Sequence, residues 1–152
     1  MSYLIALIGT LSLLVASTAW ADFEEGVTAY LQGDYDSAYD ELRPLAAQGN
    51  AKAQFIIGRM YANGTPVPQS DTEAVRWYRL SAEQGYSSAQ DSLASMYFYG
   101  YGVPQDYLQA VGWWQKAAEQ GHSDAQATLG YIYLNGKEIG REIGRASCRE
   151  RV

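Results

Sequence analysis

Apolar and small side chains recur at helical spacing through the middle of the chain. Ala53, Ile57 and Tyr61 stand one turn apart, and so do Ala89, Leu93 and Tyr97. Residues at i, i+4 and i+8 share one side of an α-helix, so each set predicts a helix with a single packing face. A second stripe follows each of these: Ala74, Trp77, Tyr78, Ser81 and Ala82, then Ala110, Trp113, Trp114, Ala117 and Ala118. Its order is small, large, large, small, small at i, i+3, i+4, i+7 and i+8, which fits one partner. Gly58, Ala94 and Gly130 sit beside the first stripe. Glycine inside a helix costs about 1 kcal/mol against alanine, so a neighbouring helix is expected to approach closely there. The pattern predicts helix, loop, helix and turn, written more than once.

The corners are repeated as well. Residues 45–54 read LAAQGNAKAQ, 81–90 read SAEQGYSSAQ and 117–126 read AAEQGHSDAQ. Aligned without a gap, 51–86 and 87–122 agree at 15 of 36 positions, and Ala125, Gln126, Leu129, Gly130, Tyr133 and Gly136 hold the register of a third copy. Self-similarity at a fixed period of this size predicts a stack of supersecondary units. Gly85 and Gly121 are expected to close the second helices, Gly64 and Gly100 the first. Ser87 and Ser123 are expected to cap the helices that follow the turns. The intervening loops differ: Gly64-Thr65-Pro66-Val67-Pro68 against Gly100-Tyr101-Gly102-Val103-Pro104. Proline fixes φ whereas Gly102 is free to make it positive, so the two loops are expected to take different paths.

The run Ala-Gln-x-x-Leu-Gly-x-x-Tyr-x-x-Gly-x-Gly-Val-Pro-Gln-Asp, then Ala-x-x-Trp-Trp-x-Lys-Ala-Ala-Glu-Gln-Gly-His, closely resembles the Sel1-like repeat family over about residues 50–136. The resemblance implies an all-α fold, a right-handed α/α superhelical solenoid of Sel1-like hairpins related to tetratricopeptide repeats. Gly33-Asp34-Tyr35-x-x-Ala38 resembles the plain tetratricopeptide hairpin with a shorter loop. The expected units are an opening hairpin over 22–49, repeats over 50–86 and 87–122, and the first helix of a third over 123–136.

The two ends read differently. Residues 3–16 are apolar and uncharged, and Ala19-Trp20-Ala21 fits a signal-peptidase site, so 1–21 is expected to be a cleaved signal peptide. The alternative is an anchor at the inner membrane formed by residues 3–21. The chain is then expected in the periplasm or secreted, with no membrane contact if the leader is removed. Residues 137–152 resemble no fold element, and EIGRASCRERV looks like a translated sequencing adapter. Between Asp22 and Gly136 six basic residues face fourteen acidic ones, a net charge of −8. Binding to a nucleic-acid backbone needs a basic face, so no nucleic-acid partner is expected. The sole cysteine, Cys148, lies in the tail, which leaves no disulfide between Asp22 and Gly136.

Candidate chemistry is sparse. His122 is the lone histidine and has no second histidine or cysteine to share a metal; a solvated turn residue is expected. Asp34, Asp36, Asp40 and Glu41 lack the spacing of a calcium loop and suit the start of a helix. No nucleophile elbow, phosphate loop or Ser-x-x-Lys is present, so no catalysis and no cofactor are expected. The family includes cysteine-rich members linked with β-lactam binding, which rely on disulfide-paired repeats. Tyr61, Trp77, Tyr78, Tyr97, Trp113, Trp114 and Tyr133 are expected in the core. The opposite face of each first helix varies between copies: Phe55, Arg59 and Ala62, then Asp91, Ser95 and Phe98, then Ala127, Tyr131 and Leu134. The resemblance implies that this face lines a concave groove. Phe55, Phe98, Tyr99 and Tyr131 are its candidate anchors, with Arg59, Asp91 and Ser95 supplying polarity. The expected function is binding of a protein or peptide by an exported adaptor, scaffold or regulator. The alternatives are a structural fragment of a longer repeat array and a cell-wall or β-lactam hydrolase.

Overall fold

Between residues 22 and 135, the range described by the computed structural model, seven helices follow one another and no strand is present. Helix α1 occupies residues 22–32, α2 Tyr35–Ala47, α3 Ala51–Asn63, α4 Asp71–Glu83, α5 Ser87–Tyr99, α6 Tyr107–Glu119 and α7 Ser123–Asn135. The leader expected over 1–21 and the tail expected over 137–152 lie outside the described residues. No helix among the described residues is long and apolar enough to cross a membrane.

From α2 to α7 the main packing contacts join helices consecutive in the chain, heaviest within the α3–α4 and α5–α6 hairpins, which makes a solenoid of hairpins stacked in chain order. The small-residue column permits this. A Cβ on Gly58 would stand 2.7 Å from the ring of Tyr78 in α4. A Cβ on Gly26 would meet Leu42 Cγ at the same 2.7 Å, so α1 and α2 touch by the same device. Among the described residues nothing stands within 4 Å of a Cβ on Gly130 in α7.

The buried side chains form three overlapping layers. Phe23, Leu42, Ile57 and Trp77 belong to the first, Tyr78, Leu93 and Met96 to the second, and Trp114, Leu129 and Ile132 to the third. Tyr61 packs against the first and second layers, and Tyr97 and Trp113 against the second and third. These rings tie each repeat to the next, since each layer alone buries only a few large side chains. The core expectation fails at Tyr133, which is 67% exposed. Tyr61 and Tyr97 are partly buried against the core layers, whereas Tyr133 accepts a hydrogen bond at its hydroxyl from Gln115 Nε2 at 3.1 Å.

The turns depart from expectation by one residue. Gly85 takes φ of +90° after the last turn of α4, as its place in the repeated word requires. Ser87 and Ser123, however, are the first helical residues and not the caps. The carbonyls of Tyr86 and His122 already accept from the amides of Gln90 and Gln126, which moves each cap one position earlier. Asn50 caps α3 by accepting from Ala53 N at 3.0 Å. His122 does the same for α7 through Nδ1, accepting from Ala125 N at 3.4 Å, so it is a half-buried cap and not a solvated turn residue. Tyr86 makes no such side-chain bond. Asp34 caps α2, accepting from Ser37 N at 3.3 Å, and Asp36 lies in that helix's first turn.

The long loops after α3 and α5 are closed alike, by Ser70 N donating to Tyr61 O and Asp106 N to Tyr97 O, both at 2.9 Å. Between those clasps they diverge, as expected: Pro66 follows a cis peptide bond, while Gly102 takes φ of +67°. A Cβ at Gly102 would fall 2.4 Å from the carbonyl of Asp71, so that position excludes a side chain on two grounds.

The glutamines of the repeated word hold the corners together. Gln54 Nε2 donates to Ala46 O at 3.0 Å, Gln90 Nε2 to Ala82 O at 3.1 Å and Gln126 Nε2 to Ala118 O at 3.0 Å. Each adds a second donor to a carbonyl in the last turn of the preceding helix, which also accepts from the amide of Gly49, Gly85 or Gly121. Gln84 Nε2 then donates to Gln54 Oε1 at 2.7 Å, and Gln120 Nε2 to Gln90 Oε1 at 2.8 Å. One glutamine pair per repeat therefore binds the end of one hairpin to the helix ends of the next.

Candidate functional site

The varying face is carried by α3, α5 and α7. In α3, Phe55 lies half-buried between the rings of Tyr78 and Tyr86, at 5.9 and 5.3 Å. Arg59 is exposed, with its guanidinium 5.6 Å from the Tyr30 ring and 5.9 Å from Phe55. The structure thus brings Phe55 and Arg59 together and adds Tyr30 of α1.

One repeat on, the same three positions hold different chemistry. Asp91, Trp114 and His122 replace Phe55, Tyr78 and Tyr86. Trp114 Nε1 donates to Asp91 Oδ1 at 3.0 Å. Burial pushes the Asp91 carboxyl above the ordinary carboxylate range, against the opposing pull of His122 and the Trp114 hydrogen bond. Tyr78, at the equivalent of Trp114, is pushed up to about 12 by burial. Ser95 Oγ is turned back on its own helix, donating to Asp91 O at 3.1 Å.

Phe98 is the centre of an aromatic cluster and not a free anchor. Its centroid lies 5.0 Å from Tyr99, 5.2 Å from Tyr107 and 5.4 Å from Trp114. Tyr99 is 59% and Tyr101 53% exposed, and their rings stack at 5.5 Å with 25° between planes. Tyr131, at the Ser95 position of α7, is 68% exposed. Of the seven candidate residues, Arg59, Tyr99 and Tyr131 therefore present themselves to solvent. Phe55, Asp91, Ser95 and Phe98 are half-buried and engaged with their own hairpins.

Sequence reasoning missed Tyr30, Tyr101 and Tyr107. Tyr101 could have been found, because it replaces Thr65 of the preceding copy in a loop whose clasping residues repeat. Chemically the face offers ring surfaces, a few carboxylates and hydrogen-bonding groups. His122 Nδ1 is occupied as a cap. Among the described residues no three His, Cys, Asp or Glu side chains are placed to hold a metal ion. Such a face suits non-covalent recognition.

The Sel1 repeat family model matches residues 51–86, 87–122 and 123–146. No curated protein matches the chain. Among solved structures it resembles a Sel1 repeat protein from Oxalobacter formigenes, 36% identical, with a TM-score of 0.72, covering 76% of this chain and 46% of that one. It also resembles a protective antigen of uropathogenic Escherichia coli strains displaying an SLR fold, 37% identical, with a TM-score of 0.73, covering 80% of this chain and 27% of that one. The chain thus spans less than half the length of either. Helicobacter pylori cysteine rich protein B, 22% identical over 61% of this chain and 70% of its own, with a TM-score of 0.59, shares the fold. Proteins built of such repeats are generally non-enzymatic scaffolds that mediate protein–protein interaction. With its helices stacked in hairpins and three successive matches at the period read from the sequence, the chain belongs to the Sel1 repeat family.

Proposed function

We propose that the chain is an exported adaptor that holds a protein or peptide segment on the α3–α5–α7 face. One observation carries this reading. The packing positions recur from copy to copy, while Phe55, Arg59 and Ala62 give way to Asp91, Ser95 and Phe98, then to Ala127, Tyr131 and Leu134. A face with only a structural duty has no need of different side chains at equivalent sites. Affinity comes from covering exposed rings, with polar neighbours setting register. Export to the periplasm rests on the apolar stretch 3–16 and the small-x-small sequence at 19–21.

The test is panning of a random-peptide display library on the full chain. Peptides recovered on it are expected to lose most of their binding to the Arg59→Ala/Tyr131→Ala variant. Both residues are exposed, so the fold survives the change. Recovery of peptides that bind the variant as well as the parent overturns the assignment of the face.

A further inference from the structure

Six cations lie between residues 22 and 135, and five of them rest on rings of the same molecule. Arg43 and Arg76 stand over Trp77 at 5.3 and 4.4 Å, and Lys116 stands over Trp113 at 4.0 Å. Arg59 covers Tyr30 and Phe55, and Arg79 covers Tyr97 at 5.9 Å while donating to its hydroxyl at 2.8 Å. The carboxylates are not matched in this way. Among the described residues the one ion pair joins Glu73 and Arg76, at 3.0 Å.

Residues 87–135 hold four carboxylates, Asp91, Asp106, Glu119 and Asp124, and a single cation, Lys116, which is already on Trp113. In this half of the molecule Tyr99, Tyr101 and Tyr131 are more than half exposed, and no cation of the described chain covers them. The first two are ordered in advance. Their rings stack on each other, and Phe98 meets Tyr99 edge-on at 86°, itself held by Tyr107 and Trp114. Two carboxylates belong to the same cluster, Asp91 through its bond from Trp114 and Asp106 as the cap beside Tyr107.

We infer that this platform takes a basic peptide segment, whose arginine side chains lie over Tyr99 and Tyr101, where the described residues supply no cation. Ring faces attract cations, and the unpaired carboxylates raise the local concentration of a positively charged partner. Arginine is favoured over lysine because its planar guanidinium stacks on a ring and still offers donors to a carboxylate. The inference rests on the proposed interaction face and names the chemistry of its occupant.

The experiment titrates the full chain into fluorescein-labelled alternating Gly–Arg, Gly–Lys and Gly–Glu peptides of equal length and follows anisotropy. The Gly–Arg peptide is expected to bind most tightly, the Gly–Lys peptide several-fold less, and the Gly–Glu peptide not at all. Tyr99→Leu/Tyr101→Leu is expected to weaken Gly–Arg binding about five-fold or more. Tyr101→Leu alone, a loop change, is expected to give part of that loss at an unchanged melting temperature. Gly–Arg binding that is equal in parent and both variants, or matched by Gly–Glu, overturns the inference. The library experiment separates the two claims. Selected peptides that depend on Arg59 and Tyr131 but carry no excess of arginine or lysine leave the face standing and sink the basic occupant. Peptides indifferent to Arg59 and Tyr131 sink the face itself.

Discussion

Asp91 shows what a single position does when a copied framework is rewritten. Its counterpart Phe55 closes an aromatic sandwich, whereas Asp91 accepts a hydrogen bond from Trp114 in a half-buried corner that also holds His122 and Asp124. Desolvation is the main cause of its raised pKa, so the folded chain holds that proton more tightly than the unfolded one. The associated stability is fully present below the unfolded value and is lost as pH rises through the folded one. Asp91→Asn keeps an acceptor for Trp114 and removes the charge. It is expected to stabilise the protein at about pH 7 by roughly 0.5 kcal/mol or less, because solvent screens a half-exposed group. The gain should vanish near pH 3 or so, where the carboxyl is protonated in both states. Urea denaturation of both proteins at the two pH values measures this, and an equal difference at both would contradict it. The sequence shows Asp91 replacing Phe55, but not that Trp114 and His122 change at the same corner. Those residues lie 23 and 31 positions away, and only the folded stack makes them neighbours.

Each corner is the meeting of two helix ends, where a glutamine adds a second donor to a carbonyl that the turn glycine's amide already serves. Gln54 is 4% exposed and both donates to Ala46 O and accepts from Gln84. Gln54→Ala is expected to cost about 1–3 kcal/mol, the loss of two hydrogen bonds at roughly 0.5–1.5 kcal/mol each. Gln84→Ala, from an exposed residue, is expected to cost about 1 kcal/mol or less. Chemical denaturation of the two variants gives the ordering, and a larger loss for Gln84→Ala would refute the clasp. The glycine stops and the helix stripes were legible because turn geometry and packing period act locally. The glutamines were not, since a polar residue in a repeated word reads as surface until the carbonyl eight residues before it is seen beside it. The caps were misplaced for a related reason. Serine is a favoured cap, but the register is decided by which carbonyl takes the first helical bond, here those of Tyr86 and His122.

At the scale of the molecule, the period of 36 residues was enough to expect hairpins stacked in order, because each hairpin has an oily side that its neighbour alone can cover. What was not legible was how much of the varying face would be turned inward. Phe98 and Phe55 meet rings of their own hairpins, leaving Tyr99, Tyr101 and Tyr131 to solvent. The proposed export belongs to the whole chain too. Produced from its full sequence in a Gram-negative host, the protein is expected in the periplasmic fraction with an intact mass beginning at Asp22. Uncleaved protein in the membrane pellet would instead support the anchored form.

The order in which the helices touch has a bearing on how such a chain reaches its shape. Because its main contacts join consecutive helices, the ends that must find each other are never far apart along the backbone. A polypeptide threaded unfolded through a translocation pore could build itself hairpin by hairpin as it emerges, each new one zipping onto the last without waiting for the remainder to arrive.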